Sequence, residues 1–341
     1  MMQDACRNRY ELHENELIDR FNRRLNYLRV SITDRCNLRC NYCTPAGFFP
    51  KLPHKEILSY EEILRLVRLL VCAGVSKVRI TGGEPLVRKG VYEFLSELHR
   101  IEALSDISLT TNGVLLKENI RRIKSAGINR INVSLDSLNR EKYGKIAGAN
   151  RFDEVWEGIQ LSLLMGFDPV KINMVAIKGV NDDELIDFAR LSLIYPFHVR
   201  FIEYMPIGTQ CMSMERQMLA PEIKQKIEEI GSLHPISRGA NDGPAERFRF
   251  DGAPGEIGFI RPISRHFCPD CNRLRLTASG QLRLCLLSNL QFDLKTPIRT
   301  GASDSELLNM IFSAADRKPL EHELVCREKS TVLDPMYAIG G

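Results

Sequence analysis

What the sequence lacks narrows the field first. No apolar stretch reaches the roughly 18 residues of a membrane span. The opening residues, MMQDACRNRYELHENELIDRF, are rich in acids and have no apolar signal core, so a reducing, cytoplasmic setting is expected. A formal net charge of +4 announces neither a nucleic-acid nor a membrane partner, though it leaves room for a local basic pocket. The Gly-x4-Gly-Lys-Ser/Thr loop of a P-loop phosphate site is absent. So are low-complexity tracts, and so is any repeat beyond an alternation of strands and helices. At 341 residues, the chain suits one large domain plus a smaller one.

Cysteine is plentiful. Six of the ten cysteines fall into two triplets: Cys36, Cys40 and Cys43, then Cys268, Cys271 and Cys285. Such clustering in a non-secreted chain points to metal rather than disulfides. Cys6, Cys72, Cys211 and Cys326 read as structural or incidental.

Between residues 27 and 206, strand patterns at 28–33, 77–81, 107–112, 131–136, 170–177 and 198–205 alternate with helix patterns. The helix after the first loop opens on a Ser59/Glu62 capping box and continues with an apolar stripe of Ile63, Leu66, Val67, Leu70 and Val71. Further helices fit 90–101, 117–125, 152–165 and 183–194. Six strand–helix units mean a parallel sheet, either doubly wound or curled into a barrel. One strand face is apolar (Leu28, Val30, Ile32; Val78, Ile80). The other carries Arg29, Lys77, Arg79, Lys171 and Arg200, with Asp136 as its acid. A doubly wound sheet would be apolar on both faces. The pattern predicts an α/β fold, a partial (βα)6 TIM-like barrel with a smaller C-terminal domain, whose lumen holds a polyanion such as a phosphorylated ligand.

The first triplet, CNLRCNYC at 36–43, follows the first strand, on the catalytic face of a βα barrel. Its spacing is poor for zinc, and no fourth cysteine follows nearby, as a ferredoxin-type run would supply. Three thiolates on a four-iron cluster leave one iron open to a substrate or cofactor. The second strand ends in TGGEP, 81–85, where Gly82 and Gly83 would let backbone approach a ligand and Glu84 offers a carboxylate to an ammonium. In the second triplet, residues 273–277 and 281–285 alternate around Ala278-Ser279-Gly280, and a hairpin there returns Cys285 to Cys271. Zinc with His266 as fourth ligand, or a second cluster with an open iron, both fit those three thiols.

The Cys-x3-Cys-x2-Cys loop with Tyr42 before its last cysteine, followed by GGEP, resembles the radical S-adenosylmethionine superfamily. LRVSITDRCNLRCNYC, KVRITGGEPLVR, LTTNG, NVSLD, VRFIEYMPIG, FCPDCNRLRLTASGQLRLCL and the terminal MYAIGG resemble its GTP 3′,8-cyclase family, from residue 28 onward. Thr44 departs from the more usual methionine, and the first 20 residues match nothing usable. The resemblance implies two [4Fe-4S] clusters, each on one triplet. It implies S-adenosylmethionine held by Tyr42, Gly83, Ser134 and Met205 with Glu84 nearby. It also implies GTP held by Arg29, Lys77, Arg79, Thr110, Lys171, Arg200, Arg273, Leu274 and Arg275, with guanine toward the second cluster. Catalytic roles are expected for Arg29 and for a Gly340–Gly341 tail reaching the site. A flavodoxin- or ferredoxin-like reductant, product transfer to a cyclic pyranopterin monophosphate synthase and a homodimer are further expectations, with no nucleic acid and no membrane.

Domains are expected at 1–228, the barrel, and 229–341, the cluster-bearing unit, entered through a helix at 220–230, strands ERFRF and EIGFIRPI, and a loop at 237–246. Three rivals stay open. A radical enzyme acting on a peptide would tend to carry more C-terminal cysteines. A zinc-stabilised nucleic-acid module would need its cations outside. A pure electron carrier would need neither an open iron nor GGEP.

Overall fold

The computed structural model describes residues 16–43, 51–208, 213–237, 243–265, 267–322, 332 and 334–340. Cys6, Thr44, Cys211, His266, Cys326 and Gly341 lie outside the described residues. Six strands form the barrel wall: β1 (Tyr27–Ser31), β2 (Lys77–Thr81), β3 (Asp106–Thr111), β4 (Arg130–Ser134), β5 (Val170–Ala176) and β6 (His198–Glu203), each parallel to the next. Their apolar faces, with Leu28, Val30, Val78, Ile80, Leu109 and Val133, are fully buried. The helices α1 (Tyr60–Cys72), α2 (Val91–His99), α3 (Leu116–Ser125), α4 (Arg140–Ala147), α5 (Phe152–Leu164) and α6 (Leu185–Ile194) connect these strands. The expected capping box opens α1: Glu62 N donates to Ser59 Oγ at 3.2 Å, and Ser59 N donates to Glu62 Oε2 at 2.6 Å.

Helix α4 was not expected from the sequence. It is eight residues long, contains Gly144 and ends on Gly148 at φ 71°, so propensity argues against it. Its start is fixed by the Asn139 side chain, which accepts from Lys142 N at 3.0 Å. Between β4 and β5 the chain therefore carries two helices.

After α7 (Ala220–Ile227), the remaining strands are β7 (Leu233–Pro235), β8 (Glu246–Phe250), β9 (Glu256–Ile260), β10 (Arg273–Leu276), β11 (Gln281–Arg283) and β12 (Gln291–Asp293). They are followed by α8 (Lys295–Arg299), α9 (Asp304–Ala315) and α10 (Met336–Ile339). The late strands do not stack as a separate layer. They extend both edges of one twelve-stranded sheet, ordered β12-β11-β10-β1-β2-β3-β4-β5-β6-β9-β8-β7. Strand β10 runs parallel to β1 and pairs Arg275 with Arg29; β9 runs parallel to β6. That pairing delivers the second triplet to the same lumen as the first.

Candidate active site

All six clustered cysteines line one cavity of about 1860 Å³, its open mouth included. Cys36, Cys40 and Cys43 sit in the loop beyond β1, at the carboxyl ends of the strands. Backbone holds this loop: Arg39 N and Asn41 N donate to the last carbonyls of α4, Ala147 O at 3.0 Å and Ile146 O at 2.9 Å. A Cβ at Gly148 would come within 2.9 Å of Arg39 O, so the glycine that closes α4 also lets the cysteine loop lie against it. Gly82 and Gly83 make a second close approach. A Cβ at Gly83 would stand 2.4 Å from Arg35 O, and one at Gly82 2.7 Å from Thr33 O. The sequence reading assigned this freedom to ligand approach; the backbone that these glycines meet is the cysteine loop itself, while Gly83 also lines the cavity.

Tyr42, Ser134 and Met205 also line the cavity, as expected of neighbours to the first triplet. Tyr42 Oη donates to Asp136 Oδ2 at 2.6 Å, and Val175 N donates to Asp136 Oδ1 at 2.9 Å. Burial pushes the Asp136 carboxyl up to about 6 against those two bonds. Glu84 is placed differently from its expected role toward an ammonium. Its carboxylate is fully buried and accepts from Leu86 N, Thr111 Oγ1 and Asn112 N at 3.0, 2.8 and 2.6 Å. It anchors the end of β3, and burial pushes it up to about 7. Asn112, which the sequence reading did not single out, thereby reaches Cys36 Sγ with its Nδ2 at 3.6 Å.

The second triplet is assembled from a 3-10 turn at Cys268–Asp270 and the β10–β11 hairpin, which pairs Arg275 with Arg283. Arg29, Arg79, Arg200, Arg273 and Arg275 line the cavity between the triplets. Burial, then the neighbouring charges, lowers Arg29 to about 10 and Arg200 to about 9, so both stay cationic. Two polar atoms of the cavity lining, Thr110 Oγ1 and Asn173 Oδ1, are buried and have no partner among the described residues, and Asn132 Oδ1, outside the lining, is likewise unmatched. Leaving such groups dry is costly. The arginines suit a polyanion, the Thr110 hydroxyl can donate to one, and the Asn173 oxygen calls for a ligand that also carries hydroxyl or N–H donors.

Three expected ligand contacts sit elsewhere. Lys77 and Lys171 lie at the strand starts, outside the cavity lining. Strand β3 begins one residue earlier than expected, which sets Asp106 on the inner face opposite Lys77, and the two pair at 2.7 Å. Burial, reinforced by Arg200, Arg79, Arg130 and Lys77, lowers Lys171 to about 5. Leu274 is fully buried in the apolar core, opposite Leu28, and does not line the cavity. Gly340 reaches the barrel: its carbonyl accepts from Arg275 Nη1 at 2.7 Å, and at φ 69° a Cβ would lie 3.0 Å from Ser31 Cβ.

The residues present fit iron–sulfur chemistry. The six thiols are free, face one cavity and are backed by close-approach glycines. Residues 30–192 match the radical SAM superfamily, and residues 197–324 match the family described as Molybdenum Cofactor Synthesis C. The GTP 3′,8-cyclase of Moorella thermoacetica is 48% identical over 306 residues, covering 90% of this chain and 95% of that protein. That of Thermodesulfovibrio yellowstonii is 48% identical over 325 residues, covering 95% and 99%. Among solved structures, Streptococcus suis SuiB bound to S-adenosylmethionine aligns with a TM-score of 0.60 at 13% identity, over 99% of this chain and 80% of that one; this likeness concerns the fold.

Proposed function

The chain belongs to the GTP 3′,8-cyclases of the radical S-adenosylmethionine superfamily, and from that premise we infer how its lumen divides the work. It is an enzyme of molybdenum cofactor biosynthesis that acts on GTP, with S-adenosylmethionine and two [4Fe-4S] clusters as cofactors. When bound, these groups supply a 5′-deoxyadenosyl radical at one end of the lumen and an open iron for guanine at the other. The protein's part is to bind and orient. Cys36, Cys40 and Cys43 hold the first cluster, with Tyr42, Gly83, Ser134 and Met205 around the S-adenosylmethionine. Asp136 fixes the Tyr42 ring through its 2.6 Å bond.

Arg29, Arg79, Arg200 and Arg275 neutralise the triphosphate; the unmatched Thr110 hydroxyl can donate to a phosphate oxygen, and the unmatched Asn173 Oδ1 can accept from a ribose hydroxyl or a base N–H. Lys171 adds charge from one layer below. Arg273, beside Cys271, faces the base. This orientation brings ribose C3′ toward the first triplet for hydrogen abstraction and sets guanine C8 within reach of C3′. The Gly340 carbonyl steers Arg275, and the catalytic role read for Gly340 and Gly341 is carried here by that contact of Gly340. A flavodoxin- or ferredoxin-like reductant, transfer of the product to a cyclic pyranopterin monophosphate synthase, a homodimer, a cytoplasmic setting and a division near residue 228 complete the reading. No described helix is long and apolar enough to cross a membrane.

The observation that carries this reading is the meeting of both triplets and five arginines in one cavity. The test is anaerobic turnover with GTP deuterated at C3′. Deuterium in 5′-deoxyadenosine together with a cyclised nucleotide supports it. Unlabelled 5′-deoxyadenosine would remove C3′ as the attacked position.

A further inference from the structure

Two segments from opposite ends of the described chain close on the second triplet. The first is the hairpin before β1, where Ile18 and Arg24 form a bridge. Its buried Arg23 pairs through Nε with Asp19 Oδ2 at 2.6 Å. The other guanidinium nitrogens grip backbone: Nη1 donates to Cys268 O at 2.7 Å and Leu320 O at 2.9 Å, and Nη2 donates to Pro319 O at 2.7 Å. The second is the stretch after α9. Lys318, only 2% exposed, donates from Nζ to Arg273 O at 2.9 Å and to Leu284 O. Those carbonyls stand two residues after Cys271 and one before Cys285. Farther along, the His322 backbone N–H donates to the Cys268 thiol, and its ring bonds Pro262 O at 2.9 Å.

The placement of Lys318 needs a reason. Burying an ammonium costs several kcal/mol unless an opposite charge answers it. Among the described residues no carboxylate pairs with Lys318. Burial lowers the Lys318 ammonium below its ordinary range, the Cys271 and Cys285 sulfurs beside it work against that, and Arg23 and Arg273 add to it. A dry cation beside thiolates, stapled to the backbone on both sides of them, suits a site whose negative charge is permanent.

We propose that Lys318 and Arg23 are positioning residues of the second cluster: they lock the backbone segments bearing Cys268, Cys271 and Cys285, and their positive charge raises the reduction potential of the cluster held there. The physics is direct. Reduction adds negative charge to the cluster, and a fixed cation in a low-dielectric interior stabilises that added charge. The proposal rests on the second triplet holding a cluster.

The test uses the full-length chain with Cys36, Cys40 and Cys43 replaced by alanine, so that the second cluster alone gives a signal. Its midpoint potential is read by redox titration followed by electron paramagnetic resonance. Lys318→Met should bind the same iron but titrate at a more negative potential. Lys318→Arg should return the potential toward its starting value, and Arg23→Gln should shift it downward by less. An unchanged potential in Lys318→Met at unchanged iron content overturns the proposal. Should that variant fail to fold, an unchanged potential in Arg23→Gln overturns it instead. If the parent protein, with Cys268, Cys271 and Cys285 intact, binds no iron, the cluster reading itself fails and this proposal falls with it.

Discussion

The two cysteine triplets share a lumen and a ligand count, yet they are built in opposite ways. The first lies in one short loop, 36–43, held by backbone bonds to the end of α4. Its electrostatic surroundings are acidic: burial and then Asp136 raise the Cys40 thiol well above the usual range, and burial with Glu84 raises Cys36. The second spans 268–285, is assembled from a turn and a hairpin, and is flanked by Arg273 and Lys318, which lower Cys271 despite its burial. Two clusters with the same thiolate count are thereby given different charged neighbours, the carboxyls of Asp136 and Glu84 beside the first and the cations Arg273 and Lys318 beside the second. An electron should be costlier to place on the first and easier to place on the second. A strongly reducing first site suits the cleavage of S-adenosylmethionine, and a milder second site suits the binding of a base.

The largest expected effect separates the two by removing one at a time. Cys40→Ala should abolish both 5′-deoxyadenosine and the cyclised nucleotide. Cys271→Ala should abolish the cyclised nucleotide while 5′-deoxyadenosine still forms under reductant. Product assays by mass spectrometry decide this, and normal cyclisation in Cys271→Ala would erase the functional contrast between the triplets.

The next effect concerns the arginines between them. Arg200 is buried and faces the cavity with no carboxylate partner among the described residues. Truncating a buried charge that pairs with an anion costs about 2–5 kcal/mol, so Arg200→Ala should weaken GTP binding by roughly 30-fold or more. S-adenosylmethionine affinity should hold, because the arginine field serves the other ligand. Equal weakening of both, measured by calorimetry, would mean that the lumen is one undivided site.

Much of this was legible in the sequence for definite reasons. Strand parity depends on a two-residue period, so Leu28 and Val30 on one face and Arg29 on the other could be assigned without coordinates, and burial agrees. The hairpin that gathers Cys268, Cys271 and Cys285 follows from alternation around Gly280, which adopts φ 81°. Features that depend on one residue of strand length or on tertiary contacts were hidden. Asp106 joined the inner face only because β3 starts one residue early. The propensity of α4 is poor, and its value lies in presenting Ile146 and Ala147 carbonyls to the cysteine loop. Likewise, nothing in the local pattern around Arg23 or Lys318 announces the second triplet, some 245 residues from Arg23 in sequence.

A smaller effect follows from Lys171. With no anion bound, its folded value near 5 lies far below the ordinary 10.5, so the empty protein carries it neutral through that window. The unfolded chain binds the extra proton there, and the empty protein therefore gains stability as pH rises from about 5 toward about 10.5. A bound triphosphate restores the charge, so GTP binding takes up a proton. Above about pH 7.5, where the terminal phosphate is fully ionised, affinity should fall as pH rises. Calorimetry in buffers of different ionisation enthalpy should show that uptake, and Lys171→Met should remove both the uptake and the slope. A pH-independent affinity in the parent protein would assign the anion field to the arginines alone.

The smallest effect tests the acidic side of the contrast. In Asp136→Asn, the side chain keeps an acceptor for Tyr42 or Val175 but loses the charge that Cys40 feels. The midpoint potential of the first cluster should move upward, opposite in sign to the shift expected at the second cluster from Lys318→Met. The size is limited because burial already holds the Asp136 carboxyl near 6, so part of the population is neutral just below neutrality. Below that value the parent protein gains the proton itself, and its potential should converge on that of the variant. Parallel redox titrations at about pH 8 and about pH 5.5 would show the gap closing. A gap that stays constant with pH would tie the shift to altered packing of Tyr42, and the difference between the two triplets would then be one of architecture rather than of charge.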